Sequence, residues 1–325
     1  MPGFTTHYIF GMKAYNDMPF TPLKHTIAKY RWLYQLGLQG PDMFFYNIPI
    51  LRHRDYRNVG SYMHEHKVNA FFECCLRRIG TIRSRQQQEE AISYLAGFIN
   101  HYIADSICHP YVYGRIGYPV DVPTSMHHGM HAHLENELDA ILLWKYKKKK
   151  PSEFNQTATI CLNGQEIQFI SHFLASCINE TYYPITYRNN FQVTPAMVHR
   201  SIWALRFGCR TLSDKNGKKK FGIAQVESIF VNHPVASAKM VTDSVTDYRS
   251  SCNLNHEAWS NPWDPTRVST ASFVDLFHET LDKCSRVYAL LNSAVTDNMP
   301  LDKQDLSPLL AELGNESYHS GLPVD

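Results

Sequence analysis

Three residues in one segment show the most chemical potential in this sequence. Between Ile99 and Pro110 the chain reads His101-Tyr102-Ile103-Ala104-Asp105-Ser106-Ile107-Cys108-His109. Imidazole and carboxylate are metal-ligand groups, and here they stand at i, i+4 and i+8. On a helix each step of four residues turns by about 400°, so all three keep to one face. The two histidines are about 12 Å apart along the axis at a rise of about 1.5 Å per residue. A zinc ion with bonds of about 2.0–2.2 Å cannot easily take both. The spacing therefore predicts at least two metals, one on His101 and another on His109, with the Asp105 carboxylate placed to bridge. Read blandly, these are two incidental histidines and a surface aspartate. The otherwise apolar stretch, with Ile99, Ile103 and Ile107 on the opposite face, argues against that, because a buried charge needs a partner.

A second segment repeats the theme. His127, His128, His131, His133, Glu135, Glu137 and Asp139 crowd into one predicted helix. His131 with Glu135 and His133 with Glu137 are both i, i+4 pairs, and either could hold a metal. Such pairs also occur on exposed helices. Three earlier places add candidates: His7 in FTTHYIFG, Asp42 after Gly40-Pro41, and His64 or His66 in GSYMHEHK. Each has an ordinary explanation as a core histidine, a helix cap or a solvated face. The distribution is more telling than any one of them, since 11 of the 17 histidines fall at or before His133.

The elements that must position these residues read as helices. Apolar periodicity predicts helices over 22–38, 60–78, 88–109, 125–146, 170–180, 195–211, 223–230, 235–248 and 272–295. The 88–109 helix is expected to stop at Pro110. Asn163-Gly164 among alternating residues predicts a small β-hairpin near 159–169. The expected fold class is all-α, a multi-helix, bundle-like domain with a metal cluster in a cleft. Residues 1–150 would form the metal-binding core, 151–297 further helices of the same domain, and 298–325 a loose tail rich in Pro, Asp and Ser.

Composition narrows the function. The 325 residues are 44% hydrophobic with a net charge of +2. That is enough for a large core, and too balanced for a stable nucleic-acid partner, which asks for a strongly basic face. No secretory signal is read at the start, and no run of about 18 apolar residues suits a membrane span. The expectation is a cytoplasmic protein. The lysines Lys147 to Lys150 read as a solvated helix end favoured by the macrodipole. The sharper reading is a peripheral contact with anionic lipid. None of the eight cysteines forms a CxxC pair, so they read as reduced and structural.

Taken in order, His7, Asp42, His64, His101-Asp105, His109 and His131-Glu135 resemble the ligand series of the zinc-dependent phospholipase C family. That family includes secreted bacterial phospholipases C and, more distantly, fungal single-strand nucleases. MPGFTTHYIFG and the GSYMHEHK stretch resemble an intracellular branch. The resemblance covers residues 1 to about 143 and selects His64 over His66 and His131 over His133. It implies three Zn2+ ions in an all-helical cleft, of which two or three are expected in this chain. Asp42, His64, His101 and Asp105 would hold the first, and His109, His131 and Glu135 the second. His7, Asp105 and the chain's N-terminus, Met1 or Pro2, would hold a third. The secreted members have two more residues between the aspartate and the histidine matched here by Asp105 and His109.

The implied activity is phosphoric ester hydrolysis by hydroxide generated on zinc, which lowers the pKa of bound water to about 7. Asp42 would orient or deprotonate that water as the catalytic residue. The implied substrate is a phospholipid headgroup. Phe44, Phe45 and Tyr46 could line a choline pocket, although core packing is the simpler role. The alternatives are a zinc hydrolase of nucleotides or other soluble phosphate esters, and a non-catalytic zinc-binding protein.

Overall fold

The chain opens on a helix that its sequence shows only as a short apolar stretch. In the computed structural model, which describes residues 3–46, 58–183, 192–230 and 237–325, α1 spans Phe4–Asp17. Helix α2 (Pro22–Lys29) starts where Thr21 accepts from Lys24 N at 3.2 Å, with Pro22 in the first turn. Helix α3 (Arg31–Gly37) follows at once. The single helix expected over 22–38 thus breaks at Tyr30, whose ψ of 41° leaves the helical region. A short 3-10 helix, Gly40–Tyr46, comes next. The helix expected over 60–78 also divides, into α4 (Val59–Glu65) and α5 (Val68–Thr81). Lys67 between them adopts a left-handed φ of 49°.

Helix α6 (Arg85–Arg115) is the axis of the fold. It does not stop at Pro110. Proline removes one helical hydrogen bond but the helix runs on, because Tyr111 and Val112 beyond it are fully buried and the Tyr111 hydroxyl donates to Ser251 O at 2.7 Å. Tertiary packing outweighs the local cost of proline. On its N-terminal half, Leu95, Phe98, Ile99, Tyr102 and Ile103 pack with Leu33, Leu36, Phe71 and Phe72. On its C-terminal half, Ala104, Cys108, Tyr111 and Val112 pack with Ile9, Phe10 and Phe277.

Helix α7 (Ser125–Lys147) follows. Two 3-10 turns, Pro151–Glu153 and Gln156–Thr159, lead to α8 (Gly164–Tyr182). The hairpin expected near 159–169 is therefore absent. Asn163 instead caps α8: its side chain accepts from Glu166 N at 2.9 Å, and Glu166 accepts from Asn163 N at 2.8 Å. The Asn-Gly pair belongs to a capping box, and the glutamate three residues on was the deciding signal. Helices α9 (Pro195–Leu212) and α10 (Lys218–Phe230) come next. The helix expected over 235–248 begins outside the described residues. From Ser237 the chain holds only a 3-10 turn, Ser237–Lys239, before the short α11 (Tyr248–Ser251).

Strands β1 (Trp259–Asn261) and β2 (Asp264–Ser269) pair antiparallel and rest on the end of α6. Helix α12 (Phe273–Thr296) returns along α6, and its Tyr288 hydroxyl donates to Ala96 O at 2.9 Å. Helix α13 (Ser307–Leu313) packs on α12. The segment from 298 is therefore not a loose tail. Leu301, Leu306, Leu309, Leu313 and Tyr318 are buried, and they are what its Pro, Asp and Ser content concealed. No helix among the described residues is long and apolar enough to cross a membrane.

Candidate metal centre

Helix α6 turns three polar residues into an otherwise apolar interior: His101, Asp105 and His109 are all fully buried. Asp42 from the 3-10 helix and His64 from α4 meet the first two. One ligand atom from each of Asp42, His64, His101 and Asp105 lies within 4.8 Å of the others. The approach depends on Gly40. It takes a left-handed φ of 46°, and a Cβ there would overlap the His101 imidazole. Any larger residue would push Asp42 away from the group.

Backbone carbonyls fix the histidines. His101 Nδ1 donates to Leu38 O at 3.1 Å, His64 Nδ1 to Gly60 O at 2.6 Å, and His109 Nδ1 to Tyr318 O at 2.7 Å. A carbonyl only accepts, so the neutral rings carry hydrogen on Nδ1 and turn an Nε2 lone pair inward. Those lone pairs meet carboxylate oxygens. His64 Nε2 is 3.3 Å from Asp42 Oδ1, and His101 Nε2 is 3.2 Å from Asp105 Oδ2. Lone pair against lone pair is repulsive unless a cation lies between them. Asp42 Oδ1, both Asp105 oxygens, and Nε2 of His64, His101 and His109 make no hydrogen bond among the described residues. Buried polar atoms are rarely left so. The donor set and its fixed tautomers fit zinc, whose histidine ligands characteristically bond a carbonyl or carboxylate through the other nitrogen.

The electrostatics agree. Burial alone would raise the Asp105 carboxyl. The imidazoles of His109, His101 and His7 outweigh burial and hold it well below the usual range, so Asp105 is an anion. His101 is lowered by burial, but the carboxylates of Asp105 and Asp42 outweigh this and raise it. Both shifts describe a pocket that attracts positive charge.

A second group lies one turn further along α6. His109 meets His131 and Glu135 of α7, again with ligand atoms within 4.8 Å. Glu135 Oε1 is 2.6 Å from His131 Nε2 and 3.6 Å from His109 Nε2. Burial pushes both histidines well below their usual range, which keeps them neutral and able to ligate. Asp105 Oδ1 stands 3.6 Å from the His109 ring and 3.1 Å from His7 Nε2, so it faces both groups. His7 is fully buried and stacks on His101 with ring centres 4.0 Å apart. Met1 and Pro2, the other expected ligands of a third ion, lie outside the described residues.

The alternatives separate by geometry. His133 is largely exposed, and its partner Glu137 already accepts from Thr246 N at 2.6 Å and from the Ser251 hydroxyl. His66 caps α4 and lies against the Tyr62 ring. Neither histidine joins either group. Phe44 is core, while the Phe45 ring lies 5.4 Å from the His64 ring, at the edge of the first group.

Asp139 sets the entry of α1. Its carboxylate accepts from Thr5 N at 3.1 Å and Thr6 N at 2.7 Å, in the helical turn that carries His7. Burial pushes Asp139 up to about 6, against the pull of those amides. Replacement by alanine would strand two buried N–H groups, each worth about 1–3 kcal/mol. The Asp139→Ala protein should unfold at clearly lower denaturant concentration in a urea titration. An unchanged midpoint would show that the contact does not hold α1.

Two residues near the centre carry no recognisable spacing signal. Tyr318 supplies the carbonyl that orients His109, and the His319 ring stacks on His64 at 4.9 Å. Both come from the segment expected to be loose, and only the isolated histidine at its end hinted at a role.

A helical fold enclosing two His/Asp/Glu groups along one buried helix defines a candidate multinuclear metal centre. Residues 6–186, more than half of the chain, match the zinc dependent phospholipase C family, and the chain belongs to that family. No curated protein and no solved structure proved similar to it.

Proposed function

We propose that the chain is a zinc-dependent phosphodiesterase that cleaves the headgroup ester of a phospholipid. The observation that supports this best is the convergence of carbonyl-fixed imidazoles with Asp42 and Asp105 carboxylate oxygens that make no hydrogen bond among the described residues. In this reading Asp42, His64, His101 and Asp105 hold one ion, and His109, His131 and Glu135 hold another. His7 and Asp105 contribute to a third. Zinc supplies Lewis acidity toward phosphoryl oxygens and lowers the pKa of water to about 7.

The chain's own residues do the rest. Asp105 couples the groups by presenting one oxygen toward His101 and the other toward His7 and His109. The Asp42 carboxylate, which faces His64 and His101 through Oδ1, orients the attacking water and takes its proton. The Nδ1–H bonds to Leu38, Gly60 and Tyr318 prevent the rings from turning during the reaction. All eight cysteines are free, which suits a reducing compartment and supports a cytoplasmic location.

The substrate is tested on zinc-loaded protein with phosphatidylcholine in mixed micelles, nucleotides and simple phosphate monoesters. Phosphocholine release supports the reading. Turnover confined to nucleotides or soluble esters replaces it with hydrolysis of those substrates. Tight zinc binding without turnover on any ester makes the protein non-catalytic.

A further inference from the structure

The segment after α13 is bound to the protein far more tightly than a terminal stretch requires. Gly314 turns the chain with φ 88°. Glu316 N donates to the Tyr102 hydroxyl at 2.9 Å, and that hydroxyl donates to the Glu316 carboxylate at 2.7 Å. A compact turn follows, closed by Ser317 N to Leu322 O at 2.8 Å and Gly321 N to Ser317 O at 3.0 Å. Within it, the Ser317 hydroxyl accepts from His319 N at 3.1 Å. The turn docks at Gly321, with φ 60°, where a Cβ would press on Ser106 O. Ser106 follows Asp105 directly, and its carbonyl is the one that Pro110 leaves without a helical donor. Tyr318 N also donates to His64 O at 3.0 Å.

This turn presents His319. Its ring stacks on His64 at 4.9 Å and 13°, and its centre lies 5.7 Å from the His109 ring. It therefore stands beside a histidine of each group. Its Nδ1 pairs with the Tyr113 hydroxyl at 3.2 Å. His319 belongs to neither set of mutually close ligand atoms, and it lies outside the residues that match the family. When the Tyr113 phenol donates to Nδ1, the imidazole hydrogen lies on Nε2, a neutral donor beside both groups.

We propose that His319 is a phosphate-binding residue of this site, held by the C-terminal turn so that its Nε2–H donates to a phosphoryl oxygen lying across the two groups. This rests on the phosphodiesterase reading for the identity of the ligand. The turn has a structural role in fixing His64 and His109 through Tyr318, whereas the His319 side chain is only partly buried.

The test compares full-length zinc-loaded wild type, His319→Ala and His319→Gln. Zinc per chain is measured first, then inorganic phosphate binding by calorimetry, then kcat and KM on any ester that wild type turns over. Zinc content should be the same in all three. Phosphate affinity should fall about tenfold or more in His319→Ala, the scale of losing a hydrogen bond to a charged group. His319→Gln, which keeps an N–H donor, should recover part of it. Unchanged phosphate affinity in both variants would overturn the proposal. So would zinc loss in step with phosphate binding, which would make His319 a metal ligand. The phosphate titration needs no turnover. A wild type that binds zinc and phosphate yet hydrolyses no ester would refute the functional reading, and the phosphate affinities of the two variants would still support or overturn this one.

Discussion

Asp105→Asn will fold, but it will hold about one zinc ion or fewer, against the two or three expected for the wild type. Asparagine keeps the volume, so the close packing around α6 survives. It loses the charge that balances His7, His101 and His109, and its amide can no longer offer two anionic oxygens. Outer contacts to a metal ligand are worth about 10–100-fold in affinity or activity. A carboxylate facing both groups should exceed that, so turnover should fall by more than about 100-fold. Zinc content and kcat/KM of the purified variant, with far-UV circular dichroism as the folding control, check this directly. Wild-type zinc content in Asp105→Asn would mean that Asp105 neither bridges nor ligates.

Zinc removal is the second large effect. The cluster concentrates imidazoles and carboxylates in the core, and without an ion their lone pairs face one another. A ligand at about 1,000 times its dissociation constant stabilises the folded state by about 4 kcal/mol. At about 2 °C per kcal/mol for a domain of this size, chelation should lower the thermal midpoint by about 8 °C for one ion, and further for two. The helices should nevertheless persist after chelation, because the clusters around Phe71, Phe72 and Phe98 and around Phe10 and Phe277 are built from apolar side chains rather than ligand groups. A scan with and without chelator, followed by zinc re-addition, measures the shift. No shift would mean that the cavity is satisfied by protons alone.

The i, i+4, i+8 series on α6 was legible because helical geometry acts locally: three residues on one buried face carry their spacing in the sequence. The pairing of His131 with Glu135 was equally local, but the choice between it and His133 with Glu137 was not. That choice depended on Ser251 and Thr246, more than 100 residues away, which occupy Glu137. The breaks at Tyr30 and Lys67 were hidden because apolar periodicity continues through both while the backbone does not. At Pro110 the error ran the other way, since buried aromatic packing carried the helix past a local breaker. At Asn163 two local signals competed, and the capping glutamate prevailed over the hairpin turn. The C-terminal turn was the least visible part. Its composition is that of a loop, and its contacts with His64, Tyr102 and His109 are all long-range.

The most direct test of the account is a crystal of the purified protein measured on either side of the zinc absorption edge. An anomalous peak should lie among Asp42, His64, His101 and Asp105, and another among His109, His131 and Glu135. Maps with no peak at either place, or with zinc only on exposed histidines such as His133, would contradict it.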